Sequence, residues 1–186
     1  MKLMINIFMN KNRCNWVSDD EVYIRYHDDE WGIPTHDDRE LFEMLVLESF
    51  QAGLSWITIL KKRENFKEAF DDFEVEKVAN YDDVKVEELR SDAGIIRHKG
   101  KITSAINNAK VFIEIQKEFG SFDEYIWKFT DGEIIKAEYL TESDLSKQIS
   151  KDLKKRGMKF VGPTIIYSYL ESIGIINNHE ENCFKF

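Results

Sequence analysis

Apolar residues recur at three- and four-residue steps along almost the whole chain, and the period-two alternation of a half-buried strand is missing. This pattern restricts the fold to packed helices. After Pro34, Thr35 and Asp37 form an entry turn into a helix from about Arg39 to Ala52. Its inward stripe reads Leu41, Met44, Leu45, Glu48 and Ala52. Gly53 and Leu54 interrupt it, and Ser55 is placed to cap a helix running from Trp56 to about Phe70. A further helix is expected from about Val84 to Ala93, stopped by Gly94 as a C′ glycine, and a long one from about Lys99 to Phe119, stopped by Gly120. Ser121 and Glu124 make an S-x-x-E capping box for a short helix through Trp127. Two more follow, from about Asp144 to Arg156 before Gly157, and from Pro163 to about Ile173 before Gly174. Many helices, short connections and no repeat predict an all-α, two-lobed fold.

The chain has 186 residues, enough for one domain with its own core. Two prolines and nine glycines leave no room for a linker. Residues 1–11 read as an N-terminal extension without a motif, and 12–186 as a single domain. The opening MKLMINIF lacks a small-residue cleavage site, so no signal peptide is expected. No apolar run approaches the roughly 20 residues a membrane span requires, so no membrane association is expected. Net charge is −9, which argues against a generic nucleic-acid coat. The basic residues nonetheless cluster in three runs: Lys61 to Arg63; Arg97, His98, Lys99 and Lys101; and Lys151, Lys154, Lys155, Arg156 and Lys159. Each run is either a solvated helix face or part of a phosphate-tracking surface.

Three constellations carry chemistry. His179 and Cys183 form H-x3-C, which on a helical turn puts both side chains on one face. With Cys14 and His27 far upstream they make a Cys2His2 set suited to tetrahedral zinc with every position filled by protein, hence structural. A buried free cysteine beside a surface histidine is the alternative. Second, Trp16, Tyr23, Tyr26 and Trp31 crowd one N-terminal stretch read as non-helical, Trp56 follows the Gly53 break, and Glu48 occupies an apolar stripe. A carboxylate there is costly unless paired. The group is either core with a buried ion pair or a cavity in which π-faces stack on a flat, electron-poor ligand and the acid reads its edge. Third, LRSDAGIIRHKGKI reads as helix, glycine-bounded hairpin and helix, whose backbone N–H groups, with Arg97, Lys99 and Lys101, suit a phosphate.

The runs RCNWVSDDEVYIRYHDDEWGIP and LFEMLVLESFQAGLSWITILKKRENF, with DAGIIRHKGKI, KKRGMKFVGPTI and NHEENC, resemble the 3-methyladenine DNA glycosylase I family. The likeness spans Arg13 to Cys183. It implies a small monomeric repair enzyme of the helix-hairpin-helix glycosylase superfamily, cytoplasmic, acting on alkylated double-stranded DNA and releasing 3-methyladenine. It also implies a zinc snap of Cys14, His27, His179 and Cys183 joining the termini. Glu48 falls on the acid that contacts the adenine edge, Tyr26 on its hydrogen-bonding neighbour, and Trp56 on the stacking tryptophan. Trp16, Tyr23 and Trp31 fall on the cavity walls, and Leu54, in the Gly53–Ser55 break, on the residue that wedges into DNA. No G-x-D follows the hairpin, although Asp123 and Asp131 stay open as water-activating candidates, so a hydrolase without strand nicking is expected. A non-catalytic helix-hairpin-helix DNA-binding module and a zinc hydrolase of small substrates are the competing readings. The first needs no caged carboxylate and the second needs an open metal position.

Overall fold

A computed structural model describes residues 11–137 and 140–186. The expected extension, residues 1–11, lies outside them apart from Lys11. Helix α1 (Glu21–Asp29) begins where the Asp20 side chain accepts from the Val22 N–H. This corrects the non-helical reading of the N-terminal stretch. Its buried residues are Tyr26, His27 and Asp28, so it presents no aliphatic stripe for periodicity to detect. Helix α2 (Asp38–Gln51) is capped by Asp37, which accepts from Arg39 and Glu40. Every residue from Leu41 to Phe50 is buried, so α2 is enclosed on all sides.

The single helix expected from Trp56 to Phe70 is two, α3 (Trp56–Leu60) and α4 (Arg63–Ala69), broken at Lys61 and Lys62. Ser55 gives no cap to the backbone; its hydroxyl instead meets Thr58 Oγ1 at 2.7 Å. After Asp71, Asp72 and Phe73, all at positive φ, comes a short helix the sequence did not announce, α5 (Val75–Ala79), which packs on α7. Helix α6 (Asp83–Ser91), the hairpin 92–98 and α7 (Lys99–Phe119) form the expected helix, hairpin and helix. Gly94 plays a different part from the one expected. It is not left-handed; a Cβ there would stand 2.9 Å from Asp92 Oδ1 and 3.1 Å from Asn65 Nδ2, so the site demands space rather than handedness.

Helix α8 (Phe122–Trp127) is capped by Ser121. Two-residue strands β1 (Ile135–Lys136) and β2 (Ile176–Asn177) pair in parallel, Ile135 with Ile176. This pairing is a small exception to the all-helical expectation. Helices α9 (Asp144–Lys155) and α10 (Pro163–Ser172) pack on each other, and α10 packs on α2. Gly174 then turns the chain at φ +76, where a Cβ would lie 2.3 Å from the Ile33 carbonyl carbon. The segment after α10 therefore lies flush against residues 32–35, and Thr35 donates to the Ile173 carbonyl. The molecule is mostly helical. Its buried apolar residues form one continuous cluster, so separate cores do not mark the two lobes expected from the sequence. No helix among the described residues is long and apolar enough to cross a membrane.

Candidate functional site

Three helices each turn a pair of residues, three apart in sequence, into one cavity of about 180 Å³. Helix α1 supplies Tyr23 and Tyr26, α2 supplies Glu48 and Gln51, and α10 supplies Ser168 and Glu171. Trp16, Trp31 and Trp56 complete the wall. All six residues the sequence singled out for this cavity are therefore brought together; Gln51, Ser168 and Glu171 were missed. Trp16 stands edge-on to Trp31 at 5.0 Å and to Tyr23 at 5.3 Å, while Tyr26 and Trp56 lie 5.4 Å apart and tilted. Glycine 53 at φ +81 ends α2 and turns the chain so that Trp56 faces the cavity as the first residue of α3.

Two buried polar atoms of this cavity are unsatisfied. Glu48 is buried, and its Oε2 has no hydrogen-bond partner among the described residues; nor does the indole N–H of Trp56. A lone acceptor and a lone donor in one cavity are what a ligand with both groups on its edge would satisfy. Burial, and then the nearby Glu171, push the Glu48 carboxyl well above the carboxylate range. The neutral acid is thus favoured. Burial, with the charge of Glu48 adding to it, likewise keeps the Tyr26 hydroxyl protonated and able to donate.

Behind this wall lie Cys14, His27, His179 and Cys183, all buried, their donor atoms within 4.8 Å of one another. Cys14 Sγ is 3.5 Å from His179 Nδ1, and Cys183 Sγ is 3.4 Å from His27 Nε2 and 3.6 Å from His179 Nδ1. The group can hold a metal ion. His27 Nδ1 meets Asp28 Oδ1 at 2.9 Å, and Arg13 grips the same carboxylate with two hydrogen bonds of 2.8 and 2.7 Å, which fixes the ring with Nε2 toward the cluster. Burial raises the Cys14 thiol to about 12 and lowers His179 to about 4, so the imidazole is neutral and free to ligate. The cluster also joins the chain ends: Phe184 donates to the Asn12 carbonyl, and Asn15 donates twice to Glu180. It supports the cavity as well, since Trp31 packs against His179 at 4.6 Å and Trp16 against His27 at 5.4 Å.

The DNA-facing candidates separate into free and committed groups. Leu54 is 40% exposed at the tip of the Gly53 turn. Arg97 is exposed on the hairpin and Lys99 at the start of α7, where it lies 3.6 Å from Glu87. Lys101 differs from expectation: it is 7% exposed, and its ammonium donates to the carbonyls of Phe50 (2.8 Å) and Ala52 (2.6 Å). It satisfies C-terminal carbonyls of α2 and fastens the Leu54 turn to α7, which commits two of its three donors within the protein. The first basic run is committed in the same way. Lys61 pairs with Asp20, Lys62 donates to Ala93 and Gly94 of the hairpin, and Arg63 binds Glu43 and Glu30. In the third run, Arg156 pairs with Glu118 and Asp152. Neither Asp123 nor Asp131 lines the cavity, and Asp123 is held by His36 at 2.8 Å.

Fold and site together define a helical protein with an aromatic, acid-bearing cavity and a helix-hairpin-helix. The sequence model of the methyladenine glycosylases matches residues 16–186. The chain is 47% identical to DNA-3-methyladenine glycosylase 1 of Escherichia coli strain K12, over 92% of this chain and 95% of that protein. It is 40% identical to DNA-3-methyladenine glycosylase of Haemophilus influenzae, over 92% and 96%. Among solved structures, one of 3-methyladenine DNA glycosylase I superposes with a TM-score of 0.90 at 45% identity, covering 93% of this chain and 98% of that one. A structure addressing 3-methyladenine recognition by the Staphylococcus aureus enzyme superposes equally well, at 39% identity over 94% and 96%. The chain belongs to the methyladenine glycosylase family.

Proposed function

We infer that the protein is a base-excision repair enzyme that hydrolyses the N-glycosidic bond of alkylated double-stranded DNA and releases 3-methyladenine. The observation that carries this reading is the aromatic cavity with its two buried, unpartnered polar atoms, Glu48 Oε2 and Trp56 Nε1. A base inside a duplex is out of reach of such a cavity, so it must swing out, at a cost of a few kcal/mol for unstacking. Leu54 at the tip of its turn is suited to fill the gap left behind. Arg97 and Lys99 are suited to hold the flanking backbone, a local basic face on an acidic chain.

N3-methylation makes the base cationic and a good leaving group. When the bond breaks, its electron pair goes to the base, which leaves neutral. The sugar carbon takes the hydroxyl of water, and the remaining proton goes to solvent. Little acid catalysis is required. The cavity instead selects: π-faces and a carboxylate favour a cation over neutral adenine by roughly 1–2 kcal/mol per good contact. In this reading Trp56 stacks on the base, Tyr26 offers its hydroxyl as a hydrogen-bonding neighbour of Glu48, Trp16, Tyr23 and Trp31 complete the wall, and Glu48 reads the base edge. No lysine lines the cavity among the described residues, which supports a hydrolase without lyase activity.

Zinc is the metal that the donor set fits. Two thiolates and two imidazoles are its usual structural ligands, and bond lengths of about 2.3 and 2.05 Å imply tetrahedral S···N edges of about 3.6 Å. Three of the four S···N separations are 3.4 to 3.6 Å, and all donor atoms lie within 4.8 Å of one another. With four protein ligands no position is left for water, so the ion would act as a cross-link that neutralises two thiolates. A reducing cytoplasm fits two buried free cysteines.

The test is a base-release assay on methylated duplex DNA. Free 3-methyladenine with intact phosphodiesters is expected. DNA binding without base release would leave a non-catalytic module, and strand nicking would contradict the hydrolase.

A further inference from the structure

Two carboxyls open on the cavity, and the reading above uses one. Glu171 lies three residues after Ser168 on α10 and lines the same space as Glu48. It is 8% exposed, one oxygen accepts from Asn178 Nδ2 at 2.7 Å, and no lysine or arginine of the described residues forms an ion pair with it. As a purely structural choice it is a poor one, because a glutamine would keep the Asn178 contact without a buried charge. Among the described residues, the ionisable groups on which it acts are Glu48, whose proton it helps to retain, and Tyr26. Nature and placement both point to a positively charged occupant.

We propose that Glu171 is a second recognition carboxyl of the cavity, which sets the preference for cationic, N-alkylated purines over neutral ones. The proposal rests on the glycosylase reading and deepens it. Two acids in one cavity repel each other until a cation lies between them, so the second charge increases selectivity rather than redundancy. Bond cleavage moves the positive charge from the base to the sugar. A carboxylate that reads the base therefore holds the bound nucleotide more tightly than the neutral product, and acts on binding more than on the chemical step. The groups facing Glu171 are Tyr26 of α1, Glu48 of α2 and Asn178 after β2, with Glu30 and Arg63 acting on Tyr26 from farther away. Burial, opposed by the Asn178 hydrogen bond, raises Glu171 to about 7, so its contribution grows as the medium passes from slightly acidic to slightly basic.

The decisive variant is Glu171→Gln, which keeps an oxygen for Asn178. The probes are the N9-methyl derivative of 3-methyladenine, a permanent cation that mimics the nucleotide, and neutral N9-methyladenine, titrated by tryptophan fluorescence. The variant is expected to lose roughly tenfold in cation affinity above neutrality, with little change for the neutral probe. In excision, kcat/KM should fall more than kcat. Wild type should bind the cation more tightly as pH rises through about 7, and the variant should lose that step. Equal cation affinity and an unchanged pH dependence would overturn the proposal. If the variant does not fold, carboxyl-labelled wild type answers the same question: the Glu171 resonance must titrate at lower pH once the cation is bound, and no change refutes the role. A wild type that releases no base would sink the glycosylase reading itself. An active wild type with unaltered selectivity in Glu171→Gln would sink this inference alone.

Discussion

Glu48→Gln is expected to slow 3-methyladenine release about 10- to 150-fold and to leave the fold as stable as wild type or more so. The activity estimate is the loss of one charge-assisted hydrogen bond, about 1.5–3 kcal/mol. The stability estimate follows from the sign of the shift in Glu48. Its carboxyl is raised in the folded state, by burial first and by Glu171 second. An acid raised on folding makes the native chain hold a proton that the unfolded chain has released. Stability from this group is therefore greatest below the unfolded pKa and declines as pH climbs through the folded value. At neutral pH the wild type carries this cost and the glutamine variant does not. Melting temperatures measured beside base release separate the two roles. A collapse in melting temperature matching the loss of activity would make Glu48 a structural residue.

Removing one thiolate of the Cys14/His27/His179/Cys183 set should have the largest effect on stability. Wild type is expected to keep one zinc per chain through extensive dialysis, and Cys183→Ala to lose it. Structural zinc contributes folding free energy outright, and a loss of about 5 kcal/mol in a chain of this size lowers the melting temperature by roughly 10–20 °C. Activity should fall too, because Trp16 and Trp31 rest on His27 and His179, which couples the cluster to the cavity wall. Metal analysis with calorimetry checks this. A metal-free wild type as stable as the dialysed protein would show that the four residues are packing and no more.

What the sequence revealed and what it concealed differ for physical reasons. Helices with local signals were legible: Asp37, Ser121, Gly120, Gly157, Pro163 and Gly174 stand where the chain starts or stops them. Helix α1 was missed because its buried residues are Tyr26, His27 and Asp28 rather than aliphatic residues. The break between α3 and α4 has no proline or glycine to announce it. What sits there is tertiary: Lys62 reaches the hairpin carbonyls, and Arg63 reaches Glu43 and Glu30. Lys101 shows the same limit for a site, since a lysine in a basic run carries no mark that its ammonium is consumed by Phe50 and Ala52. Glu48 was legible as an acid in an apolar stripe. Glu171 carried the same signal, an acid directly after the apolar Tyr169 and Leu170; Gln51 stands one helical step from Glu48, and Ser168 one step from Glu171.

The central claim is that Tyr26, Trp56 and Glu48 together hold a cationic extrahelical purine, and a structure of the protein with 3-methyladenine bound tests it most directly. The base should lie against the ring of Trp56, its edge within hydrogen-bond reach of the Glu48 carboxyl and the Tyr26 hydroxyl. A base bound elsewhere, or one in this cavity with Glu48 turned away from it, would contradict the account.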